Sequence, residues 1–455
     1  MCLYLSLQYI KQTIKYKLPI AFQIQYQKLL INHNMKNSIR SNLLISMVLV
    51  CFIGCKSDKK PYENSKTSSR FSIKDVILTA SDSITLNGAN AMAFSLFKSL
   101  SKPNENLFFS SYSVASSFAL IYPGSKGETK DEIQRFFQFN TDPEANSKLF
   151  CTLNNVISQL PDKAGEVNVA NALWVQDGYK IEPLFEQQSK KYFNSELYSQ
   201  DFINKPGRSC NAINEWVYEK TNHKIANIIS ESDITNLTCL ILTNSIYFNR
   251  KWYDEFDKTA TQNAVFYNSD KTESTVKMMN KSTEFKYGED SLLQILEIPY
   301  VGDYSMLVLL PKSGQNGFHD VDFNYQNYLK WTSLMTPLEV ILSMPKFKLE
   351  DRLQFSDVLS ANGLSTAFTK RANFRGIFNF DSYIDKFYQY SYISVDEEKT
   401  EAAATGVMVA SQLSAYSESP PKVFNMNHPF VFLIVCHRFE NILFLGKINK
   451  LENEN

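Results

Sequence analysis

Histidine, glycine and net charge are scarce in this sequence. Five histidines and 15 glycines are spread over 455 residues. The histidines are His33, His223, His319, His428 and His437, and none lies in an HExxH arrangement. No serine lies in GxSxG, and no glycine-rich phosphate loop occurs. The usual signatures of a zinc peptidase, an α/β-hydrolase and a nucleotide-binding enzyme are therefore missing. SxxK occurs, as in Ser95-Leu-Phe-Lys98, but its partner KTG is absent, so it is read as a chance match. Lysine plus arginine number 47 and aspartate plus glutamate number 47, a formal balance of zero. That argues against nucleic acid as a main partner, because phosphate binding draws on an excess of Lys and Arg. The seven cysteines form no CxxC pair and no zinc-ligand spacing with a histidine. Neither a metal nor any other cofactor is expected. Cys151, Cys210, Cys239 and Cys436 lie in apolar-periodic segments and are expected as buried free thiols.

Apolar residues make up 44% and charged residues 21%, enough for a sizeable core. The only notable apolar run near the N-terminus, Leu43 to Ile53, is too short to span a bilayer comfortably. It follows Lys36 and Arg40 and ends in Phe52-Ile53-Gly54-Cys55, which reads as a signal peptide with a lipobox-like end. Residues 35–55 are thus expected to be an export signal, with Cys55 lipidated. An ordinary secretory signal or an uncleaved anchor is the other reading, since Phe52 replaces the usual leucine. Residues 1–34 precede this signal and are read as lying upstream of a true start at Met35. Residues 56–72 are polar and Ser/Lys-rich, like a flexible tether. The expected location is a membrane-anchored lipoprotein at the cell surface or in the periplasm, or otherwise a secreted protein.

From residue 73 to 455 the chain reads as one folded domain without internal repeats. Helical spacing appears in Ala89–Ser101, Ser113–Tyr122, Thr129–Phe137, Leu149–Leu160, Pro183–Tyr192, Asn211–Thr221 and Leu353–Asn362. Strand-like runs are Thr238–Phe248, Tyr304–Leu310, Glu339–Phe347, Tyr392–Val395, Phe430–Phe439 and Asn441–Ile448. A hairpin is expected at Glu440-Asn441. Helices crowd the first half and strands the second, an α+β pattern.

The segment from Asp396 to Pro421 separates two strand-like runs and is far too long for an efficient hairpin loop. Within it Thr400, Ala402, Ala404 and Gly406 fall at every second position and would share one face of a strand. A face this small can enter between existing strands without overpacking a core. Glu401, Ala403, Thr405 and Val407 occupy the other face. Ala and Glu also favour helix, so local propensity leaves both conformations open.

Several blocks in fixed order now resemble the serpin family, over Ala89 to Leu451. They are Asn106-Leu-Phe-Phe-Ser110-Ser-Tyr-Ser113, Gly124-Ser-Lys-Gly127-Glu-Thr129, Asn171-Ala-Leu-Trp174, and Ile213-Asn-Glu-Trp216-Val. Leu242-Thr-Asn244-Ser-Ile-Tyr-Phe248 with Trp252, Leu296-Glu-Ile-Pro-Tyr300, Ser305-Met-Leu-Val-Leu-Leu-Pro311 and Pro345-Lys-Phe-Lys-Leu349 follow. Glu397 to Thr405 resembles the family's hinge, and His428-Pro-Phe430-Val-Phe the strand after the loop.

The resemblance implies three β-sheets, eight or nine helices and an exposed reactive-centre loop. It implies a monomeric, single-use inhibitor that is not an enzyme and supplies no catalytic residue. A serine protease would cut the loop, and the loop would then insert as a strand, trapping the acyl-enzyme. A cysteine protease stays open as a second target class. The hinge would comprise Glu397, Glu398, Lys399, Thr400, Glu401, Ala402, Ala403, Ala404 and Thr405. Ser110, Ser113, Asn244 and Gln389 would lie where the sheet opens, and Trp252 where the loop enters. Ser110, Ser113 and Asn244 also read as partners of buried backbone groups, and Trp252 as core. Gln389 stands where many members place a histidine that pairs with the Asn244 position, and Lys399 where inhibitory members usually have glycine. Counting from the hinge puts the cut at Leu413-Ser414, with Tyr416-Ser417 the alternative. Leu413 suits an apolar primary pocket of chymotrypsin-like or elastase-like enzymes. The competing reading is a serpin-fold protein that is cut as a substrate, or binds a partner, without trapping.

Overall fold

The computed structural model describes residues 77–453 apart from 159–164, 225, 313, 315–317, 319 and 399–419. The described residues belong to one compact unit, Ser72–Asn455. Eight α-helices are described: α1 Ala80–Leu100, α2 Ser111–Ile121, α3 Gly127–Phe137, α4 Pro143–Ser158, α5 Pro183–Phe193, α6 Pro206–Lys220, α7 Tyr325–Ser333 and α8 Ser356–Ala361. None is long and apolar enough to cross a membrane.

Among the described residues, fourteen strands fall into two hydrogen-bonded sheets. The five-stranded sheet has the order β10 (Phe347–Gln354), β11 (Lys386–Val395), β4 (Leu240–Arg250), β2 (Gly165–Gln176), β3 (Glu196–Gln200). The nine-stranded sheet runs β1 (Leu107–Phe109), β14 (Asn441–Ile448), β13 (Phe430–Cys436), β8 (Tyr304–Pro311), β7 (Leu293–Pro299), β6 (Glu273–Glu289), β9 (Thr336–Pro345), β12 (Lys422–Asn425). β5 (Gln262–Tyr267) also pairs with β6. The three expected sheets are recovered once β6 is taken as a joint. Its 17 residues pair with β5 and β9 along most of their length and meet β7 only over Lys286–Glu289.

The local causes are legible. Thr79 caps α1, accepting from the Asp82 N–H while the Asp82 carboxylate accepts from the Thr79 N–H. Ile213, Trp216 and Val217 share the buried face of α6. They pack, with Ile228 and Ile229, on Trp174, Ile241, Tyr247 and Tyr390 of the five-stranded sheet. The opposite face of that sheet belongs to the larger core shared with α2 and the nine-stranded sheet. β13 and β14 are buried along their whole length and joined by a short turn at Glu440, which has φ of +50°. Within β14, opposite Phe432, glycine is required at Gly446, because a Cβ would lie 2.3 Å from the Phe432 ring. The ring of Phe108 stacks on those of Phe432 and Phe444 around it, at 5.8 and 5.1 Å between centroids.

Two expectations change. The helix expected at Leu353–Asn362 starts only at Ser356, because β10 continues to Gln354 in register with β11. Among the four cysteines, all free, Cys210 and Cys436 are buried but Cys151 and Cys239 are half-buried.

Candidate functional site at the root of the long loop

β11 and β12 belong to different sheets, and the stretch 399–419 connects them. At its start, β11 lies beside β4 as a parallel pair, Lys386 opposite Ile241 through Tyr392 opposite Tyr247. Their outer neighbours are antiparallel, β10 to β11 and β2 to β4. A chain leaving β11 and doubling back between β11 and β4 would be antiparallel to both. It would exchange one parallel ladder for two antiparallel ones, the more stable pairing per residue.

Buried polar side chains on both strands of this seam reach away from it, to the start of α2 and to β2. Gln389 and Asn244 are fully buried and directly opposite each other on β11 and β4. The pairing of these two side chains that the family pattern suggests is not formed. The Gln389 amide instead grips Ser110, accepting from its backbone N–H at 2.8 Å and donating to its carbonyl at 2.8 Å. Glutamine reaches this peptide because its primary amide presents donor and acceptor side by side. Ser110 is the N-cap of α2: its hydroxyl accepts from the Ser113 N–H and donates to the Leu443 carbonyl on β14. Asn244 turns the other way and donates to Asn171 on β2 at 2.8 Å. Ser117 of α2 donates to the same Asn171 oxygen at 2.7 Å. Four buried seam atoms have no partner: Ser113 Oγ, Asn244 Oδ1, Ser245 Oγ and Tyr388 Oη.

A second set of contacts clips the chain just beyond β11. The Trp252 indole N–H donates to the Asp396 carbonyl at 2.8 Å, and its ring stacks on Tyr300 with centroids 4.3 Å apart. The Phe256 N–H donates to the Glu397 carbonyl at 2.8 Å. The buried Glu397 carboxylate takes Lys346 at 2.9 Å and the Thr261 hydroxyl at 2.8 Å. Burial alone would raise the Glu397 pKa, but those two hydrogen bonds outweigh it and hold the group below its ordinary range. Glu398 pairs with Lys258.

The structure thus gathers Ser110, Ser113, Asn244 and Gln389 along the seam, and Trp252, Glu397 and Glu398 at its loop end. Lys399, Thr400, Glu401, Ala402, Ala403, Ala404, Thr405, Leu413, Ser414, Tyr416 and Ser417 lie outside the described residues, as do residues 1–34, 35–55 with Cys55, and 56–72. Sequence reasoning missed Asn171, Thr261, Phe256 and Lys346 as members. Asn171 and Lys346 sit inside blocks already noticed, but nothing in a linear pattern says which partner each meets. Among the described residues, no group of three or more His, Cys, Asp or Glu side chains is placed to hold a metal ion.

A family profile described as Serpin (serine protease inhibitor) matches residues 87–451. The chain is 35% identical over 427 residues to a serpin-like protein of Methanosarcina mazei, covering 92% of this chain and 99% of the relative. It is 33% identical over 382 residues to the human leukocyte elastase inhibitor, covering 80% and 99%. Native protease nexin-1, crystallised with heparin, superposes with a TM-score of 0.73 at 26% identity, covering 82% of this chain and 100% of that one. The chain belongs to the serpin family, whose members are in general protease inhibitors rather than enzymes.

Proposed function

We propose that this chain is an irreversible inhibitor of serine endopeptidases with chymotrypsin-like or elastase-like specificity. The observation that carries the reading is the parallel β4–β11 seam, clipped where the long loop begins. The protease serine attacks the Leu413 carbonyl, the Leu413–Ser414 bond breaks, and Ser414 leaves as a new amino terminus. The loop, now an ester of the protease, enters between β4 and β11 from Thr400 onward. Ordering each backbone residue costs about 1–2 kcal/mol, so insertion must gain both ladder hydrogen bonds and burial. The small face of Thr400, Ala402, Ala404 and Gly406 supports that gain, because it enters the closed core without overpacking. Insertion carries the protease away with its ester unhydrolysed. The human relative's name, leukocyte elastase inhibitor, supports the target class.

Incubation with chymotrypsin or elastase, followed by denaturing electrophoresis and mass analysis, tests this. A covalent complex that survives denaturation, with Leu413 or Tyr416 at the new end, is the expected result. Clean cleavage without a complex would sink the reading in favour of a substrate, the alternative that Lys399 favours. Thr400→Arg should turn the inhibitor into a substrate. We also infer that residues 35–55 export the chain as a monomer and that Cys55 carries a lipid anchor, with 56–72 as tether. Incorporation of a labelled fatty acid that Cys55→Ser fails to abolish would exclude the anchor.

A further inference from the structure

The nine-stranded sheet bears an exposed, mismatched patch beside the point where the long loop returns. The chain re-enters at Pro420 and Pro421, both exposed, and forms β12 against β9 in parallel register. Val423 lies directly opposite Ile341, and Ile341 opposite Ser282 of β6, so the three form one row across the sheet. Val423 is 59% exposed and Ile341 43% exposed. The inner faces are ordinary core, with Phe424, Val340 and Leu342 fully buried. One step nearer the loop on the same outer face, Glu339 stands directly opposite Glu284. Both are exposed, and neither forms an ion pair with any described residue. Lys286, two positions along β6 from Glu284, is engaged by Glu297. Like charges directly opposite on an antiparallel pair destabilise a sheet, and an exposed apolar pair beside them leaves surface that a partner can cover. Such a patch is at odds with sheet stability and fits a partner that brings positive charge and apolar surface.

The loop's return decides which partner. Val423 lies six residue steps beyond Ser417, and extended chain spans at most about 3.6 Å per residue. A protease seated on Tyr416-Ser417 is therefore tethered within roughly 20 Å of Val423. With the cut at Leu413-Ser414 the tether is roughly 30 Å or less. Both are within the width of a globular protease domain. We propose that Glu284, Glu339, Ile341 and Val423 form a docking surface for the protease held on the loop, selecting enzymes whose cleft is rimmed by basic and apolar side chains. This rests on the inhibitor reading above.

The test uses the full chain and chymotrypsin whose catalytic serine is replaced by alanine, so that docking is read without cutting. Affinity at low salt should fall roughly five- to ten-fold in the double variant Glu284→Lys with Glu339→Lys, and the difference should close at high salt. Succinylating the lysines of the inactive chymotrypsin should reverse the order, so that the double variant binds the more tightly. Ile341→Ser with Val423→Ser should weaken docking at all salt concentrations. Equal affinities for the unaltered chain and the charge-reversed variant would overturn the proposal, as would no measurable docking by the unaltered chain. Covalent capture of active chymotrypsin is measured separately. Its absence with docking intact sinks the trap alone; its presence with docking unaffected by the substitutions sinks this surface alone.

Discussion

The two sheets are buried to a similar depth but filled with different chemistry. β13 and β14 carry Phe430, Val431, Phe432, Leu433, Ile434, Leu443, Phe444 and Leu445, all with no exposure. The seam of the five-stranded sheet places Asn244, Ser245, Gln389 and Ser391 at equal depth. Four atoms at that seam lack partners, and each buried unsatisfied group costs about 1–3 kcal/mol. An apolar ladder has one good arrangement and loses everything on opening. A polar seam that is incompletely satisfied when shut loses less. The difference teaches how one molecule sets a polar seam beside an apolar floor, and the proposed mechanism asks only the seam to part.

The comparison can be broken most severely at the floor. Phe432→Ala removes a ring packed between Phe108, Phe347 and Phe430 and should cost about 3–5 kcal/mol in denaturant unfolding. A loss under 1 kcal/mol would mean that this sheet is as tolerant as the seam. At the seam, Gln389→Leu strands the Ser110 N–H and carbonyl, with an expected loss of about 1–3 kcal/mol. The same variant should take up a synthetic peptide copying residues 400–411 faster than the parent, as read by native electrophoresis; slower uptake would show that Gln389 does not hold the seam shut.

Acid sharpens the contrast at the clip. The folded Glu397 is held below its ordinary 4.5, so its contribution is fully present above that value and fades as pH falls below it. Peptide uptake should therefore accelerate below about pH 4, and Glu397→Gln should remove that acceleration. The smallest effect is expected at Ser245→Ala. This deletes a hydroxyl that has no partner, so stability should stay within about 0.5 kcal/mol or rise by up to about 1 kcal/mol. A loss of 2 kcal/mol or more would reveal a bond that the closed seam conceals.

Much of the fold is legible from periodicity. α6 announces itself through Ile213, Trp216 and Val217, and the β13–β14 hairpin through two apolar runs with almost nothing between them. β2 and β6 are harder to read, because Asn, Glu, Lys and Ser interrupt their apolar residues. Each becomes a strand by pairing with distant partners, β2 with β4 over 11 residue pairs and β6 with β9 over 10. Gln389 shows the limit for single residues. Its type and position mark it as a polar group on a buried strand, but the choice of Ser110 over Asn244 depends on where α2 begins.

The sequence by itself determined the class of protein, the alternation of small residues from Thr400 to Gly406, and the apolar strands of the floor. These are properties of composition and spacing along one chain, which side-chain period converts directly into faces. Only the tertiary structure decided that β11 lies parallel to β4, that Gln389 grips Ser110, that Lys346 and Thr261 hold Glu397, and that Glu339 faces Glu284. Each of these joins residues dozens to hundreds of positions apart, and register between distant strands is set by packing of the whole core rather than by any local pattern.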